Sequence, residues 1–403
     1  MQSFPSLPSN FLTNPLRDFL LKQSPKITRF FPATVQKLKL GNQKVKITNP
    51  ISLTPYAGTV PCSAKCKFCC ERLVRNNGEL LPFQCAIEDG EYFQILKASL
   101  SQLSRIPTSF TMSGLEPTSN REWLIDCLRI LRQHEQSNIG MVDSKYLYSN
   151  ASGFALSSSG SRNRSRQRST AIDLINSLVD WQPDRIDVSR HHYDPVVNQQ
   201  IMQFRKGVQI QDQDVFQSTI SDLKDLLPIR LDCVLQKDGI GDLDQCINYL
   251  NWAKKLGLKE VAFRSLAKLP TNSSLVRNQV FNYINNQQVP INQIVYQALK
   301  HRPKDWKLIQ MKIGYYYYNL SLSYKNGMTA TFEACDYDLL TKRQNSGIIY
   351  KLVLHPNGSL NASWDPTENI LISKENVLSV TNPETFSTNR REHKFENVHR
   401  ESN

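Results

Sequence analysis

The segment VPCSAKCKFCCERL, residues 60–73, crowds Cys62, Cys66, Cys69 and Cys70 into one short stretch of a chain with nine cysteines in all. Thiols this close together serve as metal ligands or pair as a disulfide. The odd count and the uneven spread argue against a disulfide framework and for a reducing compartment. A structural zinc ion asks for four nitrogen or sulfur ligands in a closed tetrahedron. Cys62, Cys66 and Cys69, spaced Cys-x3-Cys-x2-Cys, supply three. Cys70 adjoins Cys69 and cannot easily share its ion, Cys85 lies beyond knuckle spacing, and no histidine is near. A [4Fe–4S] cluster held by three cysteines would leave one iron open to a further ligand, and an open iron is a reactive site. A zinc-stabilised scaffold without catalysis stays as an alternative.

The elements that must position these thiols are legible in the flanking sequence. Short apolar runs at 51–58 (ISLTPYAG), 109–114 (SFTMSG), 145–150 (KYLYSN), 185–189 (RIDVS), 229–235 (IRLDCVL) and 260–266 (EVAFRSL) read as strands. Helical patterns separate them. The clearest places Leu243, Ile247, Leu250, Ala253 and Leu256 on one face, with Gly257 as the stop. This alternation predicts an α/β fold over residues 51–270, a partial (βα)6 TIM-type barrel, with its chemistry at the C-terminal strand ends. The cysteines follow the first strand and so fall on that rim. Residues 271–304 read as a helical connection. Residues 305–373 hold two hairpin patterns, turning at Lys325-Asn326-Gly327 and Pro356-Asn357-Gly358, which predict a small C-terminal antiparallel β module. Residues 1–50 read as a basic extension and 374–403 as a flexible tail.

The cysteine spacing, with aromatic Phe68 before the third cysteine, resembles the motif of the radical S-adenosylmethionine (SAM) enzymes, and the resemblance covers about residues 50–270. It implies that Cys62, Cys66 and Cys69 bind a [4Fe–4S] cluster, with Phe68 beside the cofactors. SGLEPT, residues 113–118, is similar to the family's Gly-Gly-Glu segment, so Gly114 and Glu116 would meet the amino group of SAM; Leu115 stands where the family has its middle glycine. Asn150, Ser189 and Arg190, at the third and fourth strand ends, would reach the ribose and carboxylate, and Arg264 would be a further carboxylate partner. The implied cofactors are the cluster and SAM, and the implied reductant is a flavodoxin- or ferredoxin-like protein. The implied reaction is reductive cleavage of SAM to a 5′-deoxyadenosyl radical that takes a hydrogen atom from a small-molecule or peptide substrate. A lone Cys335 beyond residue 250 sets the chain apart from branches with auxiliary-cluster domains. His191 and His192 are acid–base candidates, and Asp336, Tyr337, His355 and Asp365 are substrate-side ones; no catalytic residue is assigned. The β module and the Ser-Arg segment near residues 157–169 are the expected covers of the barrel mouth.

The net charge of +13 is concentrated. Arg17, Lys22, Lys26, Arg29, Lys37, Lys39, Lys44 and Lys46 face a single acid, Asp18, in the first fifty residues. Arg162, Arg164, Arg166 and Arg168 add a second basic patch. Such patches suit nucleic acid, and an RNA-modifying or RNA-binding protein is the other alternative. The second patch lacks interleaved aromatics for base stacking. No secretory signal is evident and no run approaches the ~20 apolar residues of a membrane span. The expectation is a cytoplasmic protein with no membrane partner.

Overall fold

The computed structural model describes residues 14–23, 26–29, 34–69, 71, 84–155, 162–267 and 278–374. A helix α1 (Asn14–Lys22) and strand β1 (Lys26–Arg29) precede a hairpin of β2 (Thr34–Leu40) and the long β3 (Gln43–Ala57). Strand–helix alternation follows: α2 (Asp89–Gln102), β4 (Thr108–Gly114), α3 (Arg121–Glu135), β5 (Val142–Ser149), α4 (Arg162–Trp181) and β6 (Arg185–Ser189). Next come α5 (Pro195–Met202), α6 (Gln213–Lys224), β7 (Ile229–Leu235), α7 (Leu243–Lys255) and β8 (Glu260–Ser265). The C-terminal part comprises α8 (Gln279–Asn286), α9 (Ile291–His301), β9 (Trp306–Ile313), β10 (Tyr317–Tyr324), β11 (Thr329–Cys335), α10 (Tyr337–Gln344), β12 (Ile348–Leu354), β13 (Leu360–Asn361) and β14 (Ile370–Ile372).

β3 to β8 pair in sequence order and in parallel, which is the six-stranded partial barrel the sequence predicts. The outward-facing apolar residues of β4 and β5, such as Phe110, Met112 and Leu147, are buried, while Thr111, Tyr146 and Tyr148 alternate with them and line the cavity. On α7, Leu243, Cys246, Tyr249, Leu250 and Ala253 are buried, and Asp242 caps the helix start by accepting from Gln245 N. Gly257 follows it at φ +83°, where a side chain would be strained.

The C-terminal strands are hairpin-bound as expected, but they do not form one separate module. β11 joins β8 in parallel, and β12 joins β3 in parallel at the opposite edge. With α10 between them, β11 and β12 extend the barrel to eight parallel strands, while the sheet remains open between these two. Phe332 of β11 and Phe263 of β8 are register partners and stack with ring centroids 5.4 Å apart. Both are fully buried, and burial of each side chain contributes about 1.5–3 kcal/mol. On the open side the rings of Tyr315 and Tyr350 stack at 4.8 Å and 2°, and Tyr315 Oη donates 3.2 Å to Ile348 O. These strands therefore wall the barrel instead of capping it.

The first fifty residues also need correction. β2 pairs antiparallel with β3, and β1 pairs with β9, so this region is part of the sheet. Lys37 lies opposite Lys46 and Lys39 opposite Lys44, all four exposed. Of the Ser-Arg segment, residues 156–161 lie outside the described residues, as do Cys70 and residues 375–403. Among the described residues no helix is long and apolar enough to cross a membrane.

Candidate active site

The cysteine loop leaves the C-terminal end of β3 and is tied to the end of α5 by backbone. Lys65 N donates to Met202 O (3.0 Å), Lys67 N to Ile201 O (3.0 Å), and Arg205 N to Ser63 O (2.9 Å). Cys69 N donates 3.1 Å to Cys66 O, which tightens the turn between the second and third cysteines. Cys62, Cys66 and Cys69 all border one cavity of about 1020 Å³ that runs through the barrel. Burial pushes the Cys62 thiol up to about 12, with the Glu116 carboxylate adding to the rise. Burial also pushes Cys66 well up, and the neighbouring Cys69 and Cys62 push it further. The polypeptide alone thus does not favour the thiolate at Cys62 or Cys66; a cationic group bound beside them would.

The donor set distinguishes the candidate groups. Sulfurs sharing one zinc ion lie about 4 Å apart, as the ~2.3 Å bond and tetrahedral angle require. Among the described residues no three His, Cys, Asp or Glu side chains are placed to hold a single ion. An iron–sulfur cube takes each thiolate on a different iron and so asks for a wider spread. Cys85 also borders the cavity, at its exposed edge.

The neighbouring strand ends lock onto the loop. Gly114 closes β4 at φ +127°, and a Cβ there would stand 2.7 Å from Ala57 N. Its missing side chain lets β4 end directly against β3 at the root of the loop. Glu116 is 3% exposed. Its Oε1 accepts from Thr118 Oγ1 (2.6 Å), Ser149 Oγ (2.6 Å) and Thr118 N (3.1 Å), and its Oε2 accepts from Asn150 N (2.6 Å). Burial raises its carboxyl above the usual range even so. Glu116 therefore joins the ends of β4 and β5, a role that Ser149 and Thr118 share and that the sequence reading missed. Asn150 bridges the next gap. Its Nδ2 donates to Ser63 Oγ (2.9 Å) and approaches Cys62 Sγ at 3.8 Å.

After β6 the chain alternates between two environments. Ser189 and His191 border the cavity; Arg190 and His192 do not. Arg190, expected at the SAM carboxylate, instead packs against α6. Its Nη2 donates 2.6 Å to Gln213 Oε1, and its guanidinium lies 4.4 Å over the Phe216 ring. His192 Nδ1 accepts from Asp194 N (2.9 Å) and its ring stacks on Tyr193, a scaffold position. His191 accepts from Val234 N at Nδ1 (3.1 Å), and its ring meets Phe68 edge-on at 4.9 Å. Burial, aided by Arg190 and Arg264, lowers its pKa to about 3, so the ring is neutral.

Arg264 borders the cavity, but its charge is already engaged. Its Nε lies 3.0 Å from Asp232 Oδ1 and 2.9 Å from Glu333 Oε2, and its Nη2 lies 3.4 Å from Asp187 Oδ2. Arg230 grips both Asp187 oxygens at 2.6 and 3.1 Å. Burial favours protonation of Asp187, yet Arg230, Arg185 and Arg264 outweigh it and hold the carboxyl below its usual range. His355 and Asp365 also border the cavity. Asp336 caps α10 by accepting from Leu339 N (2.8 Å), and the Tyr337 side chain lies outside the described residues.

No family model matches the sequence, and no curated protein does. Among solved structures, the chain is similar to Streptococcus suis SuiB bound to its precursor peptide SuiA, with TM-score 0.43 and 13% identity over 79% of this chain and 60% of SuiB. SuiB bound to S-adenosylmethionine gives 0.43 and 14% over 79% of this chain and 61% of that one. The radical SAM methyltransferase TsrM from Kitasatospora setae, with tryptophan and a SAM analogue, gives 0.33 and 10% over 53% of this chain and 36% of that one. The chain thus spans about 60% of the length of SuiB.

Proposed function

We propose that this protein is a radical SAM enzyme in which Cys62, Cys66 and Cys69 hold a [4Fe–4S] cluster. The observation that carries the reading is the convergence of these three cysteines, at the family's spacing, on one barrel cavity. SAM would lie between the loop and the ends of β4 to β8, bordered by Gly114, Glu116, Asn150, Ser189, Arg264 and Phe68. When bound and reduced, the cluster supplies the electron that splits a carbon–sulfur bond of SAM and so starts hydrogen-atom abstraction from a small molecule or peptide. The chain's own residues orient and exclude. Asn150 and Ser63 fix the loop against β5, and Glu116 holds the β4 and β5 ends in register. Neutral His191 positions Phe68 at the loop without adding charge. The strands β11 and β12 complete the wall that keeps bulk water from the reacting centre. Electrons would come from a flavodoxin- or ferredoxin-like protein.

The test is anaerobic reconstitution with iron and sulfide analysis, then reduction with dithionite in the presence of SAM. The expected product is 5′-deoxyadenosine, lost in the Cys62→Ala/Cys66→Ala/Cys69→Ala variant. A fully loaded cluster that yields none sinks the proposal.

A further inference from the structure

Lys351 stands apart from the other cations at the cavity. It is rooted in the middle of β12, in register with Ser52 of β3. Its Nζ lies 4.0 Å from the centroid of the Trp364 ring, and that ring meets Tyr56 edge-on at 6.3 Å. Tyr56 is the penultimate residue of β3, so the amine is directed toward the half of the cavity from which the cysteine loop departs. Arg264 and Arg185 are matched by Asp187, Asp232 and Glu333, and Lys312, though without an ion pair among the described residues, feels the carboxylates of Glu260 and Glu333. Among the described residues no carboxylate and no hydrogen-bond acceptor pairs with Lys351 Nζ. Burial lowers its ammonium to about 7, with the Cys335 thiol opposing the fall. Its position over the indole face favours the charged form, and a desolvated cation without a counter-charge is costly. An arriving anion removes that cost. Around it the wall is aromatic: Tyr350 stacks on Tyr315 and meets Tyr316 edge-on at 5.6 Å.

We propose that Lys351, the Trp364 ring and the Tyr350 ring, backed by the buried Tyr315, form the substrate subsite, and that it selects a molecule joining an aromatic body to a carboxylate. The proposal rests on the radical SAM reading for what happens to that molecule, but not for its binding. Lys351 Nζ would pair the carboxylate by a charge-assisted hydrogen bond while the rings hold the body by stacking.

The test uses anaerobically reconstituted protein and calorimetric titration with phenylacetate and with its uncharged analogue phenylacetamide. The acid is expected to bind at least about tenfold more tightly, the worth of one charge-assisted hydrogen bond. The preference should vanish in Lys351→Met, survive in part in Lys351→Arg, and be untouched in Lys312→Met, another cavity lysine. SAM binding should not change in any of them. Equal binding of acid and amide, no saturable binding of either, or a preference that survives Lys351→Met overturns the proposal. So does loss of SAM binding in Lys351→Met, which would move the amine into the cofactor site. Failure of the radical SAM reading would appear separately, as absent 5′-deoxyadenosine with the acid preference intact.

Discussion

The side-chain amide of Asn150 stands 3.8 Å from Sγ of Cys62 and 2.9 Å from Oγ of Ser63. One residue at the end of β5 therefore orients the loop and aims an N–H at the Cys62 sulfur, which would be a ligand of the proposed cluster. Donors to cluster sulfurs stabilise the more negative, reduced state. Asn150→Leu is expected to lower the reduction potential of the reconstituted cluster while leaving iron content near wild type. A redox titration followed by electron paramagnetic resonance measures it, and an unchanged potential would show that the amide serves the loop alone.

Gly114 offers a test of how tightly β3 and β4 must meet. A Cβ at this position would stand 2.7 Å from Ala57 N and 3.0 Å from Ala57 O, on a backbone at φ +127°. Gly114→Ala should cost about 1–3 kcal/mol through strain and displacement. Gly90, in the first turn of α2, has nothing within 4 Å of the same added atom. There Ala should be neutral or stabilise by up to about 1 kcal/mol. Urea unfolding of the two variants separates steric contact from a general effect of replacing glycine.

The parallel strands were legible because their signal is local. IRLDCVL and RIDVS are β7 and β6 with no change of boundary. Arg190 was misplaced because a strand end shows which residues alternate, not which of the two sets faces inward. Ser189 and His191 took the cavity side, so Arg190 and His192 had to take the other. The C-terminal hairpins were legible as hairpins, but their destinations depend on distant partners: Ile349 pairs with Ile47 and Phe332 with Phe263. Lys351 gave no local sign at all, since an isolated lysine in a strand becomes unusual only when, as among the described residues here, no barrel carboxylate reaches its amine.

Arg230 tests the charged layer beneath the site. It is 3% exposed and its bidentate partner Asp187 is 1% exposed. Arg230→Met leaves Asp187 and Glu333 with Arg185 and Arg264 alone to balance them. Breaking a buried pair from one side costs about 3–5 kcal/mol, because a charge is left uncompensated. Chemical denaturation should show a loss in that range. A loss below about 1 kcal/mol, the range of a surface pair, would mean that the remaining arginines compensate fully.

His191 ties stability to pH. Its pKa falls from 6.5 to about 3 in the fold. Between these values the unfolded chain binds a proton that the folded chain refuses, so the unfolded state gains as pH falls. Stability should therefore drop as pH goes below 6.5 and continue to drop toward about 3, at up to about 1.4 kcal/mol per pH unit from this residue. His191→Gln removes the titration, and its side-chain oxygen can accept the Val234 N–H that Nδ1 now accepts at 3.1 Å. Unfolding free energies measured at about pH 7.5 and about pH 5 should fall by roughly 2 kcal/mol less in the variant than in wild type. Identical losses in the two proteins would mean that His191 takes up its proton in the folded state as readily as in water.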